Sequence, residues 1–139
     1  MVVSRREFQV EWGDCDPAGI VYYPRYFEWF DACTVSLLEH GLGQRKIELL
    51  RTFDIVGLPM VDTRARFIHP SKFGDVLLVE SCVTAFRTSS FNVEHKLFKD
   101  GTLAVEGYET RVWVGVHPDE PERIKSRPIP HEVIAKMMA

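Results

Sequence analysis

Phe8-Gln9-Val10-Glu11-Trp12-Gly13-Asp14-Cys15-Asp16-Pro17-Ala18-Gly19 joins two structural rhythms. From Glu7 to Trp12, polar Glu7, Gln9 and Glu11 alternate with apolar Phe8, Val10 and Trp12. That period of two marks a half-buried strand. Gly13 to Gly19 breaks the alternation with glycine, aspartate and proline. Beyond it, Tyr23, Tyr26, Phe27, Phe30, Cys33, Leu37 and Leu38 recur at helical spacing, with Arg25, Glu28, Asp31 and Glu39 mostly between them. Pro24 suits a first helical turn, where its missing N–H would have no partner anyway. Gly41 is a natural stop, because glycine adopts the left-handed C-terminal conformation at little cost. The pattern predicts one amphipathic helix from about Val21 to His40, with an aromatic apolar face, and a shorter helix over Gln44 to Arg51.

Working outward, the rest reads as strands. Ile55 to Ile68 is extended and interrupted by Gly57 and Pro59; Pro70 to Asp75 is a turn; Val76 to Phe86 is a strand. Arg87 to Ser89 connects to the alternating Phe91, Val93, His95 and Leu97. Asp100-Gly101 is a hairpin signal, Leu103 to Val116 continues as a long strand, and Pro130 to Ala139 forms a short helix. Tight turns favour antiparallel pairing, and the helix's apolar face must cover one face of the sheet. The expected architecture is a single α+β domain over residues 1–139: a long central helix wrapped by a curved five-stranded antiparallel sheet. One long helix leaves sheet edges unprotected, so two copies are expected to pair across a two-fold axis, with a cleft at their interface.

Composition bounds the function. The 139 residues are 45% hydrophobic and 27% charged, which is ordinary globular composition. A net charge of -3 speaks against nucleic acid as the main partner. No apolar run approaches the roughly 20 residues of a membrane span, and Arg5-Arg6 follows the N-terminus too closely for a signal peptide. Cys15, Cys33 and Cys82 are odd in number and form no CxxC pair, which fits reduced thiols in the cytoplasm.

Asp14 and Asp16 flank Cys15 just before the long helix. On spacing alone two readings stand. The aspartates shape turns and approach the helix's positive end, or one of them does chemistry there. The first backbone N–H groups of a helix have no internal partners. Those near Val21 to Tyr23 could hold a thioester carbonyl oxygen as negative charge develops on it. A carboxylate a few residues upstream could attack the carbonyl or activate a water. Gly19 permits close backbone approach, and Pro17 keeps Asp16 extended. A metal-binding DxD is weak, because no histidine or further carboxylate clusters nearby.

The stretch Gly13-Asp14-Cys15-Asp16-Pro17-Ala18-Gly19-Ile20-Val21-Tyr22-Tyr23-Pro24-Arg25-Tyr26 resembles the signature of the 4-hydroxybenzoyl-CoA thioesterase family of hot-dog proteins. The resemblance continues through Ile55-Val56-Gly57, Asp75-Val76-Leu77 and Arg111-Val112-Trp113. It implies a hot-dog fold and hydrolysis of an acyl-CoA to free acid and CoA, with no metal or organic cofactor. It implies Asp16 as the catalytic carboxylate and the Tyr23 backbone N–H as the group that polarises the carbonyl. Gly19, Val21 and Tyr22 would lie against the substrate, and Arg87 and Lys125 would contact the nucleotide phosphates. At Ser89, hydroxybenzoyl-specific members carry a further basic residue that this chain lacks.

An aromatic acyl group is the first substrate this reading suggests, with short or medium fatty acyl groups beside it. The expected assembly is a homo-oligomer, dimer or tetramer. The runner-up function is a non-catalytic acyl-CoA or acyl-carrier-protein binding module. A hot-dog dehydratase would need a histidine near the helix start. His40, His69, His95, His117 and His131 all lie outside the Asp16 loop and are assigned no role. The aromatic stripe Tyr26, Phe27 and Phe30 reads as core packing.

Overall fold

A computed structural model describes residues 1–139. The elements run β1 (Val3–Gln9), a short 3-10 turn (Trp12–Asp14), α1 (Pro24–Leu42), α2 (Lys46–Thr52), β2 (Met60–Phe67), β3 (Val76–Phe86), β4 (Ser90–Lys99), β5 (Thr102–Val112), β6 (Val114–Val116), β7 (Ile124–Ser126) and α3 (His131–Met138). The main sheet has five strands in the order β1-β3-β4-β5-β2, every neighbouring pair antiparallel. This is the α+β architecture expected, with α1 lying across one face. Asp100 and Gly101 make the tight β4–β5 hairpin with positive φ values of 50° and 76°, a backbone that asparagine, aspartate and glycine supply most cheaply.

Four local expectations shift. The first strand begins at Val3 and stops at Gln9, so Trp12 leaves the alternation and is 76% exposed. The cause is local: the Asp14 carboxylate accepts the Glu11 N–H at 2.8 Å and curls the chain into the 3-10 turn. The long helix begins at Pro24 rather than Val21, because Val21 is extended, bridged to Cys15 and donating to the Ser71 carbonyl. It ends at Leu42 with Gly43 left-handed at φ 70°. Gly41 stays inside the helix, where a side chain would strike Met137 of α3. The strand from Leu103 breaks at Trp113, whose N–H turns to the Ser89 carbonyl at 2.7 Å.

The core forms two apolar clusters along α1. The N-terminal half packs Tyr26, Phe30 and Cys33 against Leu77, Val79, Leu97 and Val105. The C-terminal half packs Leu37, Leu38 and Leu42 against Val83, Phe91, Val93 and Trp113. Each buried aliphatic or aromatic side chain contributes about 1.5–3 kcal/mol. Phe30 reaches the sheet because β5 carries Gly107, where a Cβ would lie 2.5 Å from the ring.

Between the clusters runs a polar layer. Thr34 Oγ1 donates to Glu109 Oε1 at 2.6 Å, and Arg111 Nε donates to the same oxygen at 2.7 Å. His95 Nε2 lies 3.0 Å from Glu109 Oε2 and its Nδ1 lies 2.7 Å from Ser81 Oγ. The imidazole stacks on Phe30 at 4.8 Å. Arg111 continues to the Leu58 carbonyl at 3.1 Å and to Asp31 at 2.6 Å. Burial alone would raise Glu109, but hydrogen bonds from His95, Arg111 and Thr34 hold its carboxyl below the ordinary value.

Candidate active site

The loop that joins β1 to α1 is built from its own backbone. Asp16 N–H donates to the Ile20 carbonyl at 2.9 Å, and Gly19 N–H donates back to the Asp16 carbonyl at 2.9 Å. Gly19 closes this turn at φ 82°, so its flexibility is used for conformation, in open space. The Asp16 side chain is half-buried, and its Oδ1 accepts the Ala18 N–H at 2.8 Å. Its Oδ2 has no protein donor and no cation within ion-pair distance. A carboxylate held by one oxygen, with the other free, is oriented for attack or for activating water.

Asp14 is differently employed. One of its oxygens accepts the Glu11 N–H, and the other lies 3.8 Å from Arg25 Nε. Its carbonyl accepts the Tyr22 N–H at 2.8 Å. Asp14 therefore shapes the loop, whereas Asp16 keeps Oδ2 unpartnered.

The helix start narrows the donors expected over Val21 to Tyr23. Val21 N–H is taken by the Ser71 carbonyl and Tyr22 N–H by Asp14. Pro24 has no N–H, while Arg25 and Tyr26 donate to the Tyr22 and Tyr23 carbonyls. Among the amides from Val21 to Tyr26, only that of Tyr23 lacks a protein acceptor. It stands at the positive end of the 19-residue α1, where an anionic oxygen is stabilised.

Beside this donor lies an apolar cavity of about 200 Å³, lined by Ile20, Val21, Tyr23, Tyr26, Phe67, Ile68, His69 and Pro70. Its near wall was legible as the loop and helix start. Its far wall, from Phe67 to Pro70, was not read from sequence: it arrives from the end of β2, over 40 residues along the chain. Tyr26 and Phe30 are core residues as expected, although Tyr26 also lines the cavity and burial pushes its phenol up. Tyr22 is exposed and lies outside that wall.

Arg87 and Lys125 lie elsewhere. Arg87 follows β3 and holds Ser90 Oγ at 2.8 Å and Asn92 Oδ1 at 2.7 Å. Lys125 is exposed on β7, opposite Gly115. The two segments adjoin, since Ile129 N–H donates to the Thr88 carbonyl at 2.8 Å. Both belong to the end of the sheet under the C-terminus of α1. Asp16 lies at the other end, separated by the length of the helix, about 28 Å at 1.5 Å per residue. One chain does not bring them together.

No group of three or more histidine, cysteine, aspartate or glutamate side chains converges as a metal site would. Burial pushes the Cys33 thiol up to about 11, which suits a core residue. Cys15 is half-buried, with its thiol 3.8 Å from the Glu11 carbonyl. No helix is long and apolar enough to cross a membrane.

Residues 10–137 match the thioesterase-like superfamily. A 4-hydroxybenzoyl-CoA thioesterase of Pseudomonas sp. (strain CBS-3) is 32% identical over 132 residues, covering 91% of each chain. A 1,4-dihydroxy-2-naphthoyl-CoA hydrolase of Synechococcus sp. (strain WH7803) is 27% identical, covering 72% of this chain and 69% of its own. Among solved structures, a mutant 4-hydroxybenzoyl-CoA thioesterase complexed with 4-hydroxybenzoyl-CoA superposes with TM-score 0.88 at 28% identity, over 99% of both chains. A gentisyl-coenzyme A thioesterase superposes with TM-score 0.81 at 32% identity, over 94% of this chain and 99% of its own.

Proposed function

The chain belongs to the thioesterase-like superfamily and is an acyl-CoA thioesterase of the hot-dog fold, and we propose that Asp16 and the Tyr23 backbone N–H carry its reaction. The observation that carries this reading is their pairing: a carboxylate with one oxygen free, beside an unpartnered amide at a helix start.

The thioester carbonyl oxygen accepts the Tyr23 N–H, which withdraws electrons from the carbonyl carbon. Asp16 Oδ2 attacks that carbon. The negative charge gathered on oxygen is stabilised by the amide and the helix end, a kind of contact worth about 10²–10³ in rate. Collapse breaks the C–S bond, and CoA leaves as a thiolate that takes a proton from solvent. The mixed anhydride on Asp16 is then hydrolysed by water, releasing the free acid and restoring the carboxylate. No step calls for a metal or an organic cofactor. The acyl group occupies the cavity against Val21, Tyr23 and Tyr26, with Gly19 and Tyr22 flanking its approach; an aromatic acyl group suits those aromatic walls.

A second copy completes the site in this proposal. Strand β2 is a sheet edge with Met60, Val61 and Phe67 exposed. Antiparallel pairing of two β2 edges sets the Phe67 end of one copy beside the Met60 end of the other. The partner's Arg87 and Lys125 then approach the Asp16 end, where they meet the CoA phosphates. The assembly is a homodimer, or a tetramer of two such dimers. Three unpaired cysteines support a reducing compartment, the cytoplasm.

A panel of acyl-CoA esters, followed through release of free thiol, tests the reading. Wild type is expected to cleave at least one aryl ester, and Asp16→Asn to be slower by about a thousandfold. Equal rates for the two proteins would remove Asp16 from the mechanism.

A further inference from the structure

The Asp16 loop hangs between two buried residues, Val10 and Val21, and a single turn holds both. That turn, residues 70–75, joins β2 to β3. The Asp75 carbonyl accepts the Val10 N–H at 2.8 Å, and Gly74 N–H donates to the Val10 carbonyl at 2.9 Å. At the other end of the loop the Ser71 carbonyl accepts the Val21 N–H at 2.8 Å, and Ile20 is bridged to Lys72. Trp12 of the loop also meets Phe73 of the turn edge to face at 5.6 Å. Between these anchors the backbone N–H groups of Asp14, Asp16 and Gly19 all donate within the loop. Those bonds give the loop its shape; the turn gives it its place.

One side chain closes the turn and pins it to the sheet. Asp75 Oδ2 accepts the Lys72 N–H at 2.8 Å, and the same oxygen takes Lys99 Nζ of β4 at 2.8 Å. Burial alone would raise Asp75, but hydrogen bonds from Lys99 and Lys72 hold its carboxyl below the ordinary value, so the pin stays charged. Without it, Ser71 and Lys72 can move relative to the Asp75 backbone, and the two ends of the loop move with them. Val10 and Val21 are buried, so their N–H groups have no water to replace a lost carbonyl and must follow the turn.

We propose that Asp75, anchored by Lys99, is a positioning residue that sets the Asp16 carboxylate against the Tyr23 amide, an inference that rests on the roles given to those two groups above. Asp75 touches neither of them. It acts through the turn, which also takes the Val21 N–H and so helps leave Tyr23 as the free donor.

The test measures single-turnover cleavage of 4-hydroxybenzoyl-CoA at saturating enzyme, where the rate constant is independent of the fraction folded, together with steady-state KM. Wild type, Asp75→Ala, Asp75→Asn, Lys99→Met and Asp16→Asn are compared. Asp75→Ala is expected to lower the rate constant by about ten- to a hundredfold, the effect of a misplacement of roughly 1 Å, with KM within a few-fold of wild type. Asp75→Asn keeps an acceptor for the Lys72 N–H and is expected to recover part of the loss. Lys99→Met leaves the turn closed but frees it from β4, and is expected to fall between alanine and wild type. A wild-type rate constant in Asp75→Ala, or in Lys99→Met should the alanine variant not fold, would overturn the proposal, as would a loss carried by KM alone. Asp16→Asn cleaving at the wild-type rate would instead overturn the role given to Asp16, whatever the Asp75 variants do.

Discussion

Asp16 and Asp14 stand two residues apart in one loop, and only their hydrogen bonds separate their roles. Asp14 is used on both oxygens and on its carbonyl, whereas Asp16 keeps Oδ2 free. The same accounting leaves Tyr23 as the free amide at the helix start, so in the proposed reaction it acts through backbone and not through phenol. Tyr23→Phe is accordingly expected to retain kcat within a few-fold, measured on the best ester of the panel; a loss of a hundredfold or more would place the hydroxyl in the mechanism. From the sequence, the identity of Asp16 came through resemblance, since spacing left loop-shaping and chemistry both standing. Tyr23 too was singled out by resemblance, because the residues alone offered every amide from Val21 to Tyr23 and could not show that Ser71, about 50 positions away, takes the Val21 N–H.

At the scale of elements, α1 and the sheet were readable because their apolar periods differ, 3.6 residues against two. Their boundaries were not, because capping and tertiary contacts set them: Asp14 ended the alternation early, and Met137 kept Gly41 helical. The polar layer was also hidden, since Thr34, His95, Glu109 and Arg111 come from three elements whose register the sequence does not state. His95, assigned no catalytic part, is a fully buried member of that layer. Breaking such a network by removing one charge is expensive. Glu109→Gln is expected to lower stability by about 3–5 kcal/mol in denaturant titration. Because Glu109 is held below its ordinary value, its contribution is present above that value, near 4.5, and is lost as pH falls through the folded one. Acid unfolding of wild type should therefore steepen below that pH, and the Gln variant should lose that component; identical acid limbs would contradict the assignment. Gly107→Ala is expected to destabilise by about 1–3 kcal/mol through its collision with Phe30, read as a lower melting temperature.

For the whole molecule, the separation of Asp16 from Arg87 and Lys125 by the length of α1 is what makes assembly part of the proposed chemistry. The sequence suggested an edge-pairing dimer but not which edge, and resemblance grouped residues that one chain holds apart. Asp16→Asn and Arg87→Ala, each impaired alone, should complement when co-assembled, because one site of the mixed dimer draws both intact residues from different chains. Activity of the mixture that never exceeds the average of the two variants would argue for sites within single chains. Whether Asp16 performs the hydrolysis is decided by single-turnover cleavage in Asp16→Asn, with acyl-CoA occupancy measured separately by calorimetry. Binding is expected within a few-fold of wild type, with a cleavage rate lower by about a thousandfold. Cleavage at the wild-type rate by the fully occupied variant would contradict it.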